Sequence, residues 1–237
     1  MTCREVDQWG EVCGGTVSVE RDGDWLFTEC DKCGVVRSRH VETADPELKR
    51  QLRLEQAGIP KRFIGVKFDQ TRDNESALFM ARAWIADVKK GDGLPAPALW
   101  GPPGRGKSHL LAGIGIRLVK ECDKRVLVRS ARGLLRELQQ FEDGAAQAWK
   151  RATTVDVLIL DDVGAQQDTD WRQDQLADLV DARYEAELPI VLATNFAPKA
   201  WADVLDARTA SRLRGMTFSV ELRGPDRRQL AIKEEVS

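Results

Sequence analysis

The residue types and spacing best suited to chemistry lie between Gly101 and Ser108, where the chain reads G-P-P-G-R-G-K-S. An apolar run, Ala98-Leu-Trp100, leads into this stretch and an apolar helix start, His109-Leu-Leu111, leads out of it. Strand, glycine-rich loop and helix in that order form the setting in which backbone N–H groups cradle phosphates. Gly101, Gly104 and Gly106 allow close backbone approach and unusual backbone angles. Lys107 brings a point charge to the β- and γ-phosphates of ATP, and Ser108 offers a hydroxyl to Mg²⁺. The helix opening there adds the positive end of its dipole. Pro102, Pro103, Arg105 and His109 complete the loop around the nucleotide.

Other polar groups stand where they can serve the same ligand. Leu158-Ile-Leu-Asp161-Asp162 puts two carboxylates at the carboxyl end of an apolar run, the end at which α/β proteins bind ligands. Asp161 would hold Mg²⁺ through water, and Asp162 would polarise the attacking water. Asn195 ends a later run; its amide can position water or sense the γ-phosphate, or form an Asx turn. Arg208, Arg212 and Arg214 fall within seven residues. One of them, offered to a neighbouring copy's γ-phosphate, would make self-association through the ATP site part of the chemistry; the plainer reading is a solvated helix face. Gly224-Pro-Asp-Arg-Arg228 then starts a short helix from which an arginine could fold back on the nucleotide in cis.

These groups need a scaffold of buried strands. Arg125 to Ser130, Val155 to Leu160, Pro189 to Thr194 and Met216 to Leu222 are apolar on both faces, as parallel strands covered by helices should be. With the strand before the glycine loop they predict a parallel α/β sheet. Ser76 to Lys89 has the periodicity of an amphipathic helix that delivers the chain to that first strand. Asp45-Pro46-Glu47 starts an earlier helix that Gly58-Ile-Pro60 stops.

Ahead of this scaffold lie four of the five cysteines: Cys3, Cys13, Cys30 and Cys33. Cys30-x-x-Cys33-Gly34 is a metal-binding knuckle, and Cys13-Gly-Gly15 offers a second tight turn. Thr16 to Glu20 and Trp25 to Glu29 alternate around the turn at Arg21–Asp24, which returns Cys30 to the end that carries Cys13. Four thiolates suit structural Zn²⁺; an iron–sulfur cluster accepts the same set. Cys3 stands ten residues from Cys13, too far for a knuckle, so His40 is an alternative fourth ligand. So short a segment would lean on its metal to fold. Cys122 reads as a small buried residue.

The 237 residues suit one α/β domain with a small appendage, and 31% charged against 42% hydrophobic marks an ordinary globular chain. A net charge of −2 leaves any nucleic-acid contact to a local patch. No stretch reaches the ~18 apolar residues of a membrane span, so the expectation is a cytoplasmic protein without a membrane partner. The expected division is a cysteine module at 1–42, a linker helix and entry segment at 43–70, and an ATPase domain at 71–237.

Taken together, A-G-I-P-K-R-F at Ala57–Phe63, the G-P-P-G-R-G-K-S-H-L loop, L-I-L-D-D-V-G, T-D-W, R-Y-E, L-P-I, A-T-N, A-S-R-L-R-G and G-P-D-R-R resemble the DnaC/DnaI/IstB group of AAA+ ATPases over roughly residues 45–235. The resemblance implies a three-layer αβα core with a five-stranded parallel sheet in the order 5-1-4-3-2. It casts Lys107 and Ser108 as Walker A, Asp161 and Asp162 as Walker B and Asn195 as sensor 1. Arg212 becomes the trans-acting finger with Arg208 as helper, and Arg228 a sensor-2-like residue. With its cysteine module the chain looks like a helicase loader that binds the replicative hexameric helicase and single-stranded DNA; the alternative is an IstB-like transposition helper acting on duplex DNA. Beside and within the helical insertion implied at Ala131 to Ala152, Arg129, Arg132, Arg136, Lys150 and Arg151 could track phosphates, or face solvent beside Glu137, Glu142 and Asp143.

Overall fold

The computed structural model describes residues 13–22, 25–40, 46–65, 68, 74–139, 143–164 and 170–227. The chain forms two compact units, Met1–Leu52 and Arg53–Ser237.

The first unit holds a three-stranded antiparallel meander, β1 (Val17–Asp22), β2 (Trp25–Cys30) and β3 (Val36–His40). Val17 pairs with Cys30 and Asp22 with Trp25, so the hairpin returns Cys30 toward Cys13 as the alternation predicts. Helix α1 (Pro46–Gln56) follows.

The second unit contains a five-stranded parallel sheet built from β4 (Ala96–Trp100), β5 (Val126–Ser130), β6 (Val157–Val163), β7 (Ile190–Thr194) and β8 (Thr217–Glu221). The order across the sheet is β5-β6-β7-β4-β8, which is 5-1-4-3-2 counted from the strand before the glycine loop. Strand β6 explains the three layers. Its residues alternate between faces, and Val157 and Ile159 join one apolar cluster while Leu158 and Leu160 join the other. The first cluster is completed by α2 (Glu75–Lys90) and α3 (Lys107–Cys122). The second is completed by α4 (Ala131–Leu138), α5 (Asp143–Thr154), α6 (Asp170–Glu185), α7 (Trp201–Val204) and α8 (Ala207–Met216).

The entry segment belongs to this second unit, because Ala57 and Phe68 are buried in the first cluster and the Val128 N–H donates to the Ala57 carbonyl at 2.7 Å. A boundary at 70/71 therefore falls inside the unit. The helical insertion expected from Ala131 to Ala152 is two helices, α4 and α5; the Ser130 hydroxyl caps α4 by accepting from the Gly133 N–H at 3.0 Å. Arg183 on α6 is wholly buried and donates to the carbonyls of Ala152, Val155 and Pro189 at 2.8, 3.1 and 3.0 Å. It ties the end of α5 to the chain entering β6 and β7.

Among the described residues, no helix is long and apolar enough to cross a membrane.

Candidate functional site

The glycine loop leaves β4 and enters α3 with three backbone conformations that suit glycine: φ is +142° at Gly101, +78° at Gly104 and +88° at Gly106. Space demands glycine at Gly101 as well. A Cβ on Gly101 would stand 2.5 Å from the Leu222 carbonyl oxygen, and one on Gly104 would stand 2.0 Å from the Asp226 carboxylate. The segment after β8 therefore closes on the loop, and the Arg227 N–H donates to the Gly104 carbonyl at 3.0 Å. Buried Asn74 at the start of α2 secures the same segment, donating to the Arg223 carbonyl at 3.0 Å and accepting from the Arg223 N–H at 2.8 Å.

Lys107 is only 6% exposed and donates to the carbonyls of Gly101 and Pro102 at 2.7 and 2.9 Å and to the Asn195 side-chain oxygen at 2.8 Å. Residues 88 positions apart thus meet at the sheet's carboxyl edge. Asn195 is held there because the Thr194 hydroxyl accepts from the Phe196 N–H at 3.2 Å and the Trp201 indole donates to the Phe196 carbonyl at 3.2 Å.

The two acids owe their placement to an irregularity in β6. Leu160 pairs with Leu192 and Val163 with Thr194, so β6 carries an extra residue at Asp161-Asp162. Asp162 is left-handed there, with φ +55°, and its N–H donates to the Asp161 carboxylate at 3.0 Å. Asp161 is hydrogen-bonded to Ser108. Both acids, with Ser108, Pro60, Arg62 and Phe63, line a cleft of about 280 Å³. His109, next to Ser108 on α3, meets the Phe63 ring of the cleft edge-on at 6.4 Å between centroids.

Burial pushes the Asp161 carboxyl above its ordinary value; the neighbouring Asp162 charge adds to this, while the Ser108 hydroxyl, the Asp162 N–H and the Lys107 charge oppose it. A carboxylate raised in this way opposes folding when ionised, and a bound divalent cation would reverse the sign. Asp161→Asn should accordingly raise the melting temperature of the metal-free protein at pH 8 by roughly 2–4 °C, about 1 kcal/mol. The gain should fade as the pH falls and the native carboxyl becomes protonated. The same variant should lose the extra stabilisation that Mg²⁺ adds to ATP. Melting curves at pH 5 and pH 8, with and without Mg-ATP, test both halves.

Three candidate arginines on α8 behave differently. Arg208 is 69% exposed and lies 3.1 Å from the Asp181 carboxylate of α6, whereas Arg212 is 19% exposed, ion-paired with the same carboxylate and stacked over the Tyr184 ring at 5.4 Å. Arg214 donates back to the Ala210 carbonyl at 3.1 Å. Arg228 lies outside the described residues. Its neighbour Arg227 is the arginine seen against the loop, with its guanidinium 3.6 Å from where a Cβ on Gly106 would stand. Nothing in the doublet's sequence separates the two.

Of the basic residues expected to follow phosphates, Arg129 is paired with Glu137 at 2.7 Å and Arg151 donates to the Gln56 carbonyl at 2.6 Å. Arg132, Arg136 and Lys150 are exposed.

In the first unit the sulfurs of Cys13, Cys30 and Cys33 lie within 4.8 Å of one another, with Cys13 and Cys30 at 3.6 Å. The Cys33 N–H pulls the Cys30 thiol down to about 7 despite burial, helped by the Lys32 N–H and the two thiols beside it. Gly15 is required by this approach, since a Cβ there would sit 2.6 Å from the Cys30 sulfur. Such a soft donor set suits Zn²⁺. Cys3 lies outside the described residues. The register excludes His40 as a fourth ligand, because it pairs with Trp25, five positions and about 16 Å along β2 from Cys30. Cys122, on α3, is half-buried and donates to the Ile85 carbonyl.

A five-stranded parallel core in this order, with a lysine-bearing glycine loop, paired acids and an asparagine at one edge, defines an AAA+ ATP-binding protein. The chain belongs to the IstB-like ATP-binding protein family, whose pattern matches residues 29–213. It is 25% identical to the replicative helicase loader DnaC of Escherichia coli K12 over 203 residues, covering 82% of this chain and 81% of that one. A putative insertion sequence ATP-binding protein of Sinorhizobium fredii is 34% identical over 129 residues, 50% of this chain and 42% of its own length. The crystal structure of DnaI superposes with a TM-score of 0.62 at 26% identity, covering 74% of this chain and 99% of that one.

Proposed function

We propose that this protein is an ATP-dependent helicase loader: a slow ATPase that couples ATP binding and hydrolysis to placing a replicative hexameric helicase on single-stranded DNA. The observation that carries the reading is the likeness to DnaI along nearly all of that chain, joined here to a three-thiol hairpin. Lys107 and the loop amides would hold the triphosphate, and Ser108 and Asp161 would hold Mg²⁺, which supplies charge neutralisation at the phosphates. Asp162 would orient water and Asn195 would report on the γ-phosphate. The hairpin, with Zn²⁺ on Cys13, Cys30, Cys33 and Cys3, would grip the helicase. Arg136 and Lys150 are exposed cations that could meet DNA phosphates.

A transposition helper is the second reading, favoured by the insertion-sequence relative, although that match spans less of either chain than the match to DnaC does.

Pull-down by the host's replicative helicase, with elemental analysis, separates the two. The wild-type chain should carry about one zinc ion and retain the helicase. Cys30→Ser should lose both while its melting temperature still rises on adding ATP. Helicase retention indifferent to Cys30→Ser, or absent in the wild type, would count against a loader that grips through this hairpin.

A further inference from the structure

The entry segment walls the cleft as a short arch held at both ends. Its start is fixed on the edge strand β5, where the Val128 N–H donates to the Ala57 carbonyl. Gly58, at φ +72°, lies so close to the Arg129 guanidinium that a Cβ there would overlap it. Its end is a 3₁₀ turn, Lys61–Phe63, in which the Phe63 N–H donates to the Pro60 carbonyl at 2.8 Å and the Ile64 N–H to the Lys61 carbonyl at 3.0 Å. The contact between Phe63 and His109 braces this turn on the start of α3, beside Ser108.

Two guanidiniums line the cleft along with its two acids, and their engagements differ. Arg129 is half-buried, donates to the Val128 carbonyl at 2.9 Å and is paired with Glu137. Arg62 is exposed, and among the described residues its side chain has neither an ion pair nor a hydrogen bond; the guanidinium rests over the Phe63 ring, 4.8 Å from the centroid. A ring face holds a cation without consuming its N–H donors, so the donors of Arg62 remain for an anion that enters the cleft. The other walls decide which anion. Ser108, Asp161 and Asp162 are the groups suited to Mg²⁺ and to the attacking water, so the cleft faces the metal-bound end of a triphosphate. Two carboxylates alone would repel that phosphate, and a planar guanidinium beside them matches its oxygens.

We propose that Arg62 acts in cis at the ATP site: when ATP binds, its guanidinium leaves the Phe63 ring and pairs with the γ-phosphate held by the same protomer, with Phe63 as a positioning residue. The assignment rests on the reading that Ser108 and the paired acids hold Mg-ATP. ADP lacks the group that Arg62 addresses, so Arg62 separates the triphosphate state from the diphosphate state.

The test is equilibrium binding, with Mg²⁺, of ADP and of the β,γ-methylene analogue of ATP to the wild type, Arg62→Ala, Arg62→Lys, Phe63→Leu, the double variant Arg62→Ala/Phe63→Leu, and Lys107→Ala. Arg62→Ala should weaken the triphosphate analogue by about tenfold or more and leave ADP within about twofold. Arg62→Lys should recover part of the loss, since an ammonium keeps the charge without the fork. Phe63→Leu should lose part of the same preference, and adding it to Arg62→Ala should remove no more. An unchanged ratio of triphosphate to diphosphate affinity in Arg62→Ala, or an equal weakening of both nucleotides, would overturn the assignment while leaving the site standing. A wild type that binds neither nucleotide, or binding that Lys107→Ala does not diminish, would overturn the site reading itself.

Discussion

Lys107→Ala should abolish the response of the protein to ATP. Its ammonium donates to three oxygens, two from the glycine loop and one from Asn195, so it joins the loop to the end of β7. At a hundred times its dissociation constant a nucleotide stabilises the native state by about 2.7 kcal/mol. For a domain of this size that is a rise of roughly 5–11 °C in melting temperature. The variant should show none, and ATP turnover should fall to background. A Lys107→Ala protein that still melts several degrees higher with ATP would mean that the nucleotide binds elsewhere. The variant also leaves the Gly101 and Pro102 carbonyls without their lysine donor, so its melting temperature without ligand must be the reference.

Arg183→Ala should produce the largest loss of stability. Burial pulls the guanidinium down to about 10, with Asp156 opposing, so it remains charged at neutral pH. Removing it takes the guanidinium donor from the carbonyls of Ala152 and Val155 in a site closed to water, while the Pro189 carbonyl keeps the Leu158 N–H at 3.2 Å. Each unsatisfied carbonyl costs on the order of 1–3 kcal/mol, and about 4 kcal/mol in all corresponds to a drop of roughly 8–16 °C. Arg183→Lys should recover only part, since an ammonium lacks the planar fork that reaches carbonyls on two sides. Thermal melts measure both variants. A change within a degree for Arg183→Ala would show that water enters and that the residue is not a structural tie.

What the sequence disclosed depended on how local the information was. The glycine loop, Asp161, Asp162 and Asn195 sit at strand ends within short stretches, where spacing and polarity speak for themselves. The strand order came from resemblance, because apolar runs carry no record of their neighbours. Arg183 stood inside a visible R-Y-E motif, yet its role depends on α5 and on the chain entering β6 and β7, up to 31 residues away. His40 looked as good a ligand as Cys3 until the hairpin register counted it to the far end of the strands. Arg129 and Arg151 read as phosphate trackers or as solvent-facing cations, because neither a strand end nor a helix face foretells that Glu137 and the Gln56 carbonyl will claim them.

The extra residue in β6 sets a rule of parity for the acids. In an unbroken strand, neighbours project to opposite faces, and of two successive aspartates one would be driven into a helical layer. The bulge and the left-handed turn at Asp162 cancel that alternation, so both acids border the same cleft. Consecutive aspartates are therefore a spelling that works only on this kinked rail.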